Sequence, residues 1–322
     1  MIVSLPGIIS SRRRTMEAIT WTRNTGGTNP FGTNFLSAVN YGNSFWVIGG
    51  GLGVLGTASD PASTWTLRTS SFGTSYIASV EYDGTTNWVA CGDAGKIAYT
   101  GSDPTTGWTQ NTGGTNPFTS GMDVNDAVFG DDGYWVAVGG DNASTNYIAT
   151  ATDPSGTWTI RHTNVGQNTW VDQGNGQWAC AGALNKIIVA TDPTGTWTEY
   201  ANPFGVGVSL YGITYSNLVW MVVGFDGFDN YLATASDPAG VWTVQTLPAE
   251  WAGPLNTNAS AHNGLWVICK NNDDGKIATS LDGITWIMST SGSTAFLNEV
   301  EHGNGIWVCV GSDGEVLTGI EN

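Results

Sequence analysis

"SDPASTW" (59–65), "SDPTTGW" (102–108), "TDPSGTW" (152–158), "TDPTGTW" (191–197) and "SDPAGVW" (236–242) are one phrase written five times, and a shorter form, "SLDGITW", follows at 280–286. Their tryptophans, Trp65, Trp108, Trp158, Trp197, Trp242 and Trp286, extend back to Trp21, so six intervals cover 265 residues, about 44 each. A period of that size means stacked supersecondary units. The C-terminal segment "EVLTGIEN" (315–322) aligns with "KIATSLDG" (276–283) and stops where a tryptophan is due. The N-terminal "ITWTRNTGG" (19–27) begins with that missing piece, which predicts a ring closed by pairing the two ends of the chain.

A second series, Trp46, Trp88, Trp135, Trp178, Trp220, Trp266 and Trp307, lies in phrases such as "GYWVAVGG" (133–140) and "GIWVCVGS" (305–312). Together the two series use fourteen of the sixteen tryptophans, leaving Trp170 and Trp251. Each repeat reads as four short strands. In the second repeat these are "IASVEY" (77–82), "NWVACG" (87–92), "KIAYTG" (96–101) and "WTQNT" (108–112), bounded by Gly, Asp and Asn turns and without a helical period. A lone four-stranded unit cannot bury both faces, but a ring of them can. The expected fold is therefore all-β: a seven-bladed β-propeller of four-stranded antiparallel blades over 18–322, its last blade completed by the N-terminal strand. Residues 1–17 are expected to form an extended arm.

With 10 basic and 27 acidic residues the formal net charge is −17, which opposes binding to nucleic acid and to anionic membrane surfaces. No apolar run approaches the roughly 18 residues of a membrane span. The start, "MIVSLPGIISSRRRT" (1–15), is apolar first and basic afterwards, the reverse of a secretory signal. Cys91, Cys180, Cys269 and Cys309 fall two or three residues after second-series tryptophans, in corresponding strands of four repeats. Strands of different blades are expected to hold their sulfurs beyond disulfide range, so four buried free thiols and a reducing compartment are expected.

In the repeated phrase the aspartate can accept hydrogen bonds from the turn's own N–H groups, the proline fixes φ and the tryptophan inserts between sheets. Asp60, Asp103, Asp153, Asp192, Asp237 and Asp282 thus read as turn locks. The phrases, "SLDGITW" most clearly, resemble the Asp-box (bacterial neuraminidase repeat) of sialidase-like β-propellers and photosystem II assembly-factor propellers. Five of the six carry a D-P variant that departs from the usual spacing, marking a distinct branch. The resemblance covers residues 18–320. It implies that these turns lie on the face opposite the binding site, which is then built by second-to-third-strand hairpins and blade-to-blade loops.

Sialidase chemistry would need an arginine cluster, a tyrosine nucleophile and acidic partners. Outside the arm only Arg23, Arg68 and Arg161 exist, each just after a first-series tryptophan on an expected outermost strand, where they cannot converge. Glu81, Glu299, Glu301 and Asp172 lie on expected innermost strands and could face the channel as a hydrolytic pair, although solvated channel acids are the commoner outcome. His162, His262 and His302 are scattered without zinc-ligand spacing. "DGFDN" (226–230) and "NNDDG" (271–275) offer oxygens for calcium, but neither matches the EF-hand pattern and Asp-Gly is an ordinary hairpin turn. The expectation is a protein with no catalytic residues, no metal and no cofactor.

The blade-to-blade loops are aromatic: "NTGGTNPFGTNF" (24–35), "SSFGTSY" (70–76), "NTGGTNPFTSG" (111–121), "ANPFGVGVSLY" (201–211), "PAEWAGPLN" (248–256) and "STAFLNE" (293–299). The octapeptide "NTGGTNPF" occurs at both 24–31 and 111–118. Phe31, Phe72, Phe118, Phe204, Trp251 and Phe296, with hairpin residues Asp93, Asp141, Asp226 and Asp273, are the expected ligand-binding set; aromatics beside carboxylates suit sugars and protein partners alike. The alternative, that the N-P-F phenylalanines plug gaps between blades, stays open. Composition resembles phage tail and capsid-surface proteins. The expected role is a non-enzymatic virion component made in the host cytoplasm, docking other subunits through residues 1–17 and contacting a subunit or glycan through the propeller face. A cellular scaffold or lectin-like propeller is the alternative, and a glycoside hydrolase the third reading.

Overall fold

The computed structural model describes residues 19–24, 29–112, 116–141, 145–164, 166, 168–182, 186–247, 259–262, 264–270 and 275–321. Seven antiparallel sheets of four strands each follow one another along the chain. Blade 1, for example, runs Leu36–Gly42, Phe45–Gly50, Leu55–Ala58 and Thr66–Leu67, each strand pairing with the next. The first strands of the seven blades touch in a closed cycle, each against the first strand of the next blade and the last against blade 1, so they are the innermost strands around a common axis. The expected seven-bladed β-propeller is therefore what the chain forms.

Blade 7 takes Leu297–Gly303, Ile306–Gly311 and Val316–Ile320 from the C-terminal end, and Thr20–Arg23 from the N-terminal end as its outermost strand. Trp21 stands opposite Gly319 and Arg23 opposite Leu317. The seam is fastened by Ile19, buried in the core between blades 6 and 7. Arg23 adds two bonds, Nε and Nη2 donating to the Glu315 carboxylate at 2.7 and 2.6 Å. The arm expected at 1–17 lies outside the described residues.

All seven second-series tryptophans are fully buried, each in the centre of a core between neighbouring sheets. Fully burying one such ring stabilises the fold by roughly 3 kcal/mol. Neighbouring blades approach so closely that a Cβ on Gly174 would collide with the Tyr215 ring of the next blade, and one on Gly303 with Tyr41.

The repeated phrase forms the turn between the third and outermost strands. The Oδ1 atoms of Asp60, Asp103, Asp153, Asp192 and Asp237 each accept from the N–H two residues on, at 2.8–3.0 Å. The five tryptophans of the D-P phrases donate their indole N–H to the carbonyl of the phrase's proline, at 3.1–3.4 Å. Hydroxyl and N–H donors from Thr105 and Thr194 hold the carboxyls of Asp103 and Asp192 below the usual range.

All four cysteines are buried and free, as expected, and Cys269 and Cys309 share the core between blades 6 and 7.

Candidate functional site

The N-P-F loops are where the structure departs most from the sequence reading. Phe31 and Phe118 are buried, as is Phe72 of the equivalent loop, so these three are core side chains and not a contact surface. Phe31 packs 5.7 Å from Trp65, and Phe118 6.0 Å from Tyr147. The asparagine two residues earlier sets each of the two loops: Asn29 and Asn116 accept the N–H of Phe31 and Phe118 at 3.0 Å. Their amides donate at 2.7 Å to Gly314 and Gly95 carbonyls in the hairpin of the preceding blade.

The octapeptide's first residue does further structural work. Asn24 donates to Pro61 and Ser63 carbonyls, and Asn111 to Pro154 and Gly156, each gripping a D-P turn of the adjoining blade. The duplicated phrase is thus a blade-joining device, and the gap-filling alternative describes Phe31, Phe72 and Phe118.

The remaining expected residues scatter. Phe204 is half-buried against Tyr231 at 5.4 Å, while Phe296 is 44% exposed. Asp226 is spent on its hairpin, accepting from the N–H groups of Phe228 and Asp229 and from the Tyr231 hydroxyl. Asp141 likewise accepts the Thr145 N–H at 2.8 Å. Asp93, half-buried beside Asp123, has its carboxyl pushed up by burial and by that neighbouring charge. Trp251 and Asp273 lie outside the described residues.

What the structure brings together is the axis. A channel of about 220 Å³ is lined from six blades, and five carboxylates enter it: Glu81, Asp126, Asp172, Glu299 and Glu301. No lysine or arginine is among the lining residues. The innermost strands carry a register irregularity near their start in blades 1, 2, 3, 4, 5 and 7, and the residue just after it fixes an upper layer: Ala38, Ser79, Asp126, Trp170, Gly212 and Glu299. Two residues on is a lower layer: Asn40, Glu81, Val128, Asp172, Thr214 and Glu301. All six lower-layer residues line the channel, as do Ser79, Asp126, Trp170 and Glu299 of the upper layer, whereas Ala38 is buried in the core between blades 1 and 2 and Trp170 also packs against the core between blades 4 and 5.

The carboxylates are also bolts between blades. Asp126 accepts the Val171 N–H at 3.1 Å, Asp172 the Tyr215 N–H at 2.7 Å, and Glu299 the Val39 N–H at 2.7 Å. Glu81 accepts from the Asn40 amide at 2.7 Å and Glu301 from the Ser260 hydroxyl at 3.0 Å. Their side chains keep some contact with the narrow channel, yet the surrounding ring excludes bulk water, and the low-polarity setting governs their titration. Burial pushes Asp126 up to about 6, and Asp172 and Glu301 up to about 7, against the opposing hydrogen bonds. Burial lifts Glu81 and Glu299 well above the ordinary range, reinforced by neighbouring carboxylates.

Asp126 is the channel carboxylate that sequence reasoning missed, and Trp170, Asn40, Ser79 and Thr214 are among the other lining residues it did not place. The available signal was alignment: "DVNDAVF" (123–129) and "LNEVEHG" (297–303) place Asp126 and Glu299 at one register. The three arginines stand where expected, at or beside outermost strands; Arg68 and Arg161 each donate at 2.8 Å to a threonine of their own blade, Thr57 and Thr150. Among the described residues, no group of three His, Cys, Asp or Glu side chains has metal-binding geometry, and no helix is long and apolar enough to cross a membrane.

No protein-family model matches the chain, and no curated protein matches it. Solved structures do. A structure described as YCF48 bound to D1 peptide aligns with a TM-score of 0.72 at 13% identity, covering 95% of this chain and 99% of that one. Catalytically inactive virginiamycin B lyase from Staphylococcus aureus with quinupristin aligns at 0.76 and 12%, covering 95% and 100%. The WD40 propeller domain of Doa1 aligns at 0.67 and 13%, covering 95% and 98%. At these identities the likeness is one of fold.

Proposed function

We propose that this propeller is a non-enzymatic binding and structural module that contacts a protein partner through the face holding the second-to-third-strand hairpins and blade-to-blade loops. The observation that carries the reading is the use of the channel carboxylates. Each accepts a hydrogen bond from the neighbouring blade, an architectural employment that fixes them as acceptors. The YCF48 structure, described as bound to a D1 peptide, is a precedent for peptide recognition on this fold. The finer proposal is a virus or phage particle component, supported by the acidic, lysine-poor, Gly-rich composition and the free cysteines, with residues 1–17 docking another subunit. A glycan is the alternative occupant of the face.

Particles purified on a density gradient and quantified by mass spectrometry test this role. A fixed copy number of the chain relative to the major capsid protein is expected; its absence from particles overturns the virion assignment. The hydrolase reading is favoured by one observation, the carboxyls near neutrality in a channel. Turnover of chromogenic glycosides that is lost in Glu301→Gln would replace the non-enzymatic reading.

A further inference from the structure

The end of the propeller that carries the D-P turns is apolar on one side only. In a four-stranded antiparallel blade the first hairpin and the turn before the outermost strand lie at the same end. Among the described residues, four large apolar side chains are half or more exposed there: Leu218 at 69%, Val241 at 90%, Ile284 at 54% and Ile320 at 50%. All four belong to blades 5, 6 and 7, which are consecutive around the ring. Leu218 is a hairpin tip where blades 1, 4 and 7 have Ser44, Gly176 and Gly305, and its φ of 64° lies in the left-handed region that favours glycine. Val241 precedes Trp242 where the other phrases have threonine or glycine. Neither turn requires an apolar side chain, and both expose one.

These side chains form a continuous track. The hairpin tip of one blade reaches the turn of the next, as Asn43 donates to the Ser102 carbonyl at 2.9 Å and Gln177 to the Asp237 carboxylate at 3.0 Å. The same step sets the Leu218 hairpin beside the blade 6 turn that holds Ile284, where a Cβ on Gly283 would stand 3.5 Å from Met221 of blade 5. The track ends where the chain enters the ring. Blade 7 has no turn before its outermost strand: its third strand ends at Ile320, paired with Thr20. The residues that precede Ile19 therefore leave the propeller at this end, beside Ile320.

From this placement we infer that residues 1–17 of the same chain are a strap laid along this end from blade 7 to blade 5. Ile2, Val3, Leu5, Ile8 and Ile9 cover Ile284, Leu218 and Val241, while Arg12, Arg13 and Arg14 pass the Asp282 and Asp237 carboxylates. An extended chain advances about 3.3 Å per residue, which carries Arg14 about 20 Å and Ile9 about 36 Å from Thr20. Packed sheets stand about 10 Å apart, so blades 6 and 5 lie within that reach. Asp237 and Asp282 are exposed and accept the N–H groups of Ala239, Ile284 and Thr285, which fixes both negative charges at this end. The three arginines are among only ten basic residues in a chain of net charge −17. A tether this short gives the strap an effective concentration on the order of millimolar, which favours the chain's own segment over that of a second copy. The inference goes beyond the particle reading and does not depend on it; a subunit that takes residues 1–17 in an assembly displaces them from this end.

The test uses the full-length chain. Its four native cysteines are buried, so an oxidant acts on an introduced pair. Leu5→Cys with Leu218→Cys is expected to form a disulfide within the monomer about tenfold or more faster than Leu5→Cys with Leu52→Cys, read on non-reducing gels with peptide mass spectrometry. Leu52 is a matched control, an exposed leucine at positive φ on the opposite end of the ring. Separately, Leu218→Gly with Val241→Thr installs the residues that other blades carry. Trypsin is expected to cleave this variant after Arg12, Arg13 or Arg14 about tenfold faster than the parent, with melting temperature nearly unchanged. Equal disulfide rates for the two pairs, or equal cleavage of variant and parent, would overturn the inference. Disulfides that join two chains in place of one would assign the track to a second copy and overturn it equally. A strap found in a chain that is absent from particles leaves the inference standing and removes only the virion assignment.

Discussion

The D-P turns at the rim and the carboxylates along the axis put the same functional group to structural use in opposite electrostatic settings. At the rim, Asp103 and Asp192 sit in solvent, take hydroxyl and N–H donors from their own turns, and ionise more readily than usual. On the axis, Asp126 and Asp172 also take backbone N–H donors, but from the next blade, and burial outweighs those bonds and pushes both carboxyls up. Hydrogen bonds and burial act on both; water access decides which wins. The rim device is repeated and local, whereas each axial bolt is singular and joins two blades.

The largest test of this contrast is the one place where the rim is not local. Deleting residues 1–25 removes the outermost strand of blade 7, uncovers the edge of Val316–Ile320, and strands the buried Glu315 carboxylate without Arg23. Aggregation, or a fall of more than about 10 °C in melting temperature, is expected by calorimetry. A deletion that melts like the parent would mean that ring closure contributes little.

Next comes the response to pH, where rim and axis should pull in opposite directions. Asp126, Asp172 and Glu301 bind a proton more tightly folded than unfolded, so their contribution is complete below pH 4 and is lost as pH climbs through 6 and 7. Asp103 and Asp192, with lowered values, contribute above pH 4 and lose that contribution as the medium becomes more acidic. Melting temperature should therefore peak near pH 4 and decline by several degrees as pH rises from there to about 7. The double variant Asp172→Asn, Glu301→Gln should flatten the decline; an unchanged slope would show that these groups are not its source.

The sequence made the rim legible and the axis only partly so, for a physical reason. Turn chemistry is local, so "SDPTTGW" states its own hydrogen bonds, and tryptophans at a fixed period state the blades. The repeat places Glu81, Asp172, Glu299 and Glu301 on innermost strands, but a carboxylate's partner across a blade boundary lies about 40 residues away or, for Glu299 and Val39, at the other end of the chain. Asp126 is marked only by alignment of its strand with that of Glu299. The N-P-F loops misled because an aromatic in a loop reads as exposed, whereas Asn29 and Asn116 turn the chain so that the ring enters the gap between blades.

Single substitutions then separate the two kinds of aspartate. Asp172→Ala leaves the part-buried Tyr215 N–H without its acceptor, at a cost of about 1–3 kcal/mol near pH 5. That cost should shrink toward pH 8, because the deletion also removes a carboxyl whose ionisation the folded ring resists.

The smallest effect belongs to Asp103→Ala. The Thr105 N–H and hydroxyl that lose their acceptor stand in solvent and can turn to water, and the Trp108 indole still donates to the Pro104 carbonyl. Asn111, meanwhile, grips the turn of the adjoining blade and is untouched. The expected fall is no more than about 2 °C and shows no decline from pH 5 to pH 8. A loss at Asp103 equal to that at Asp172 would mean that the rim turns, and not the bolts between innermost strands, set how tightly neighbouring blades are held, and the contrast between rim and axis would fail at its most direct point of comparison.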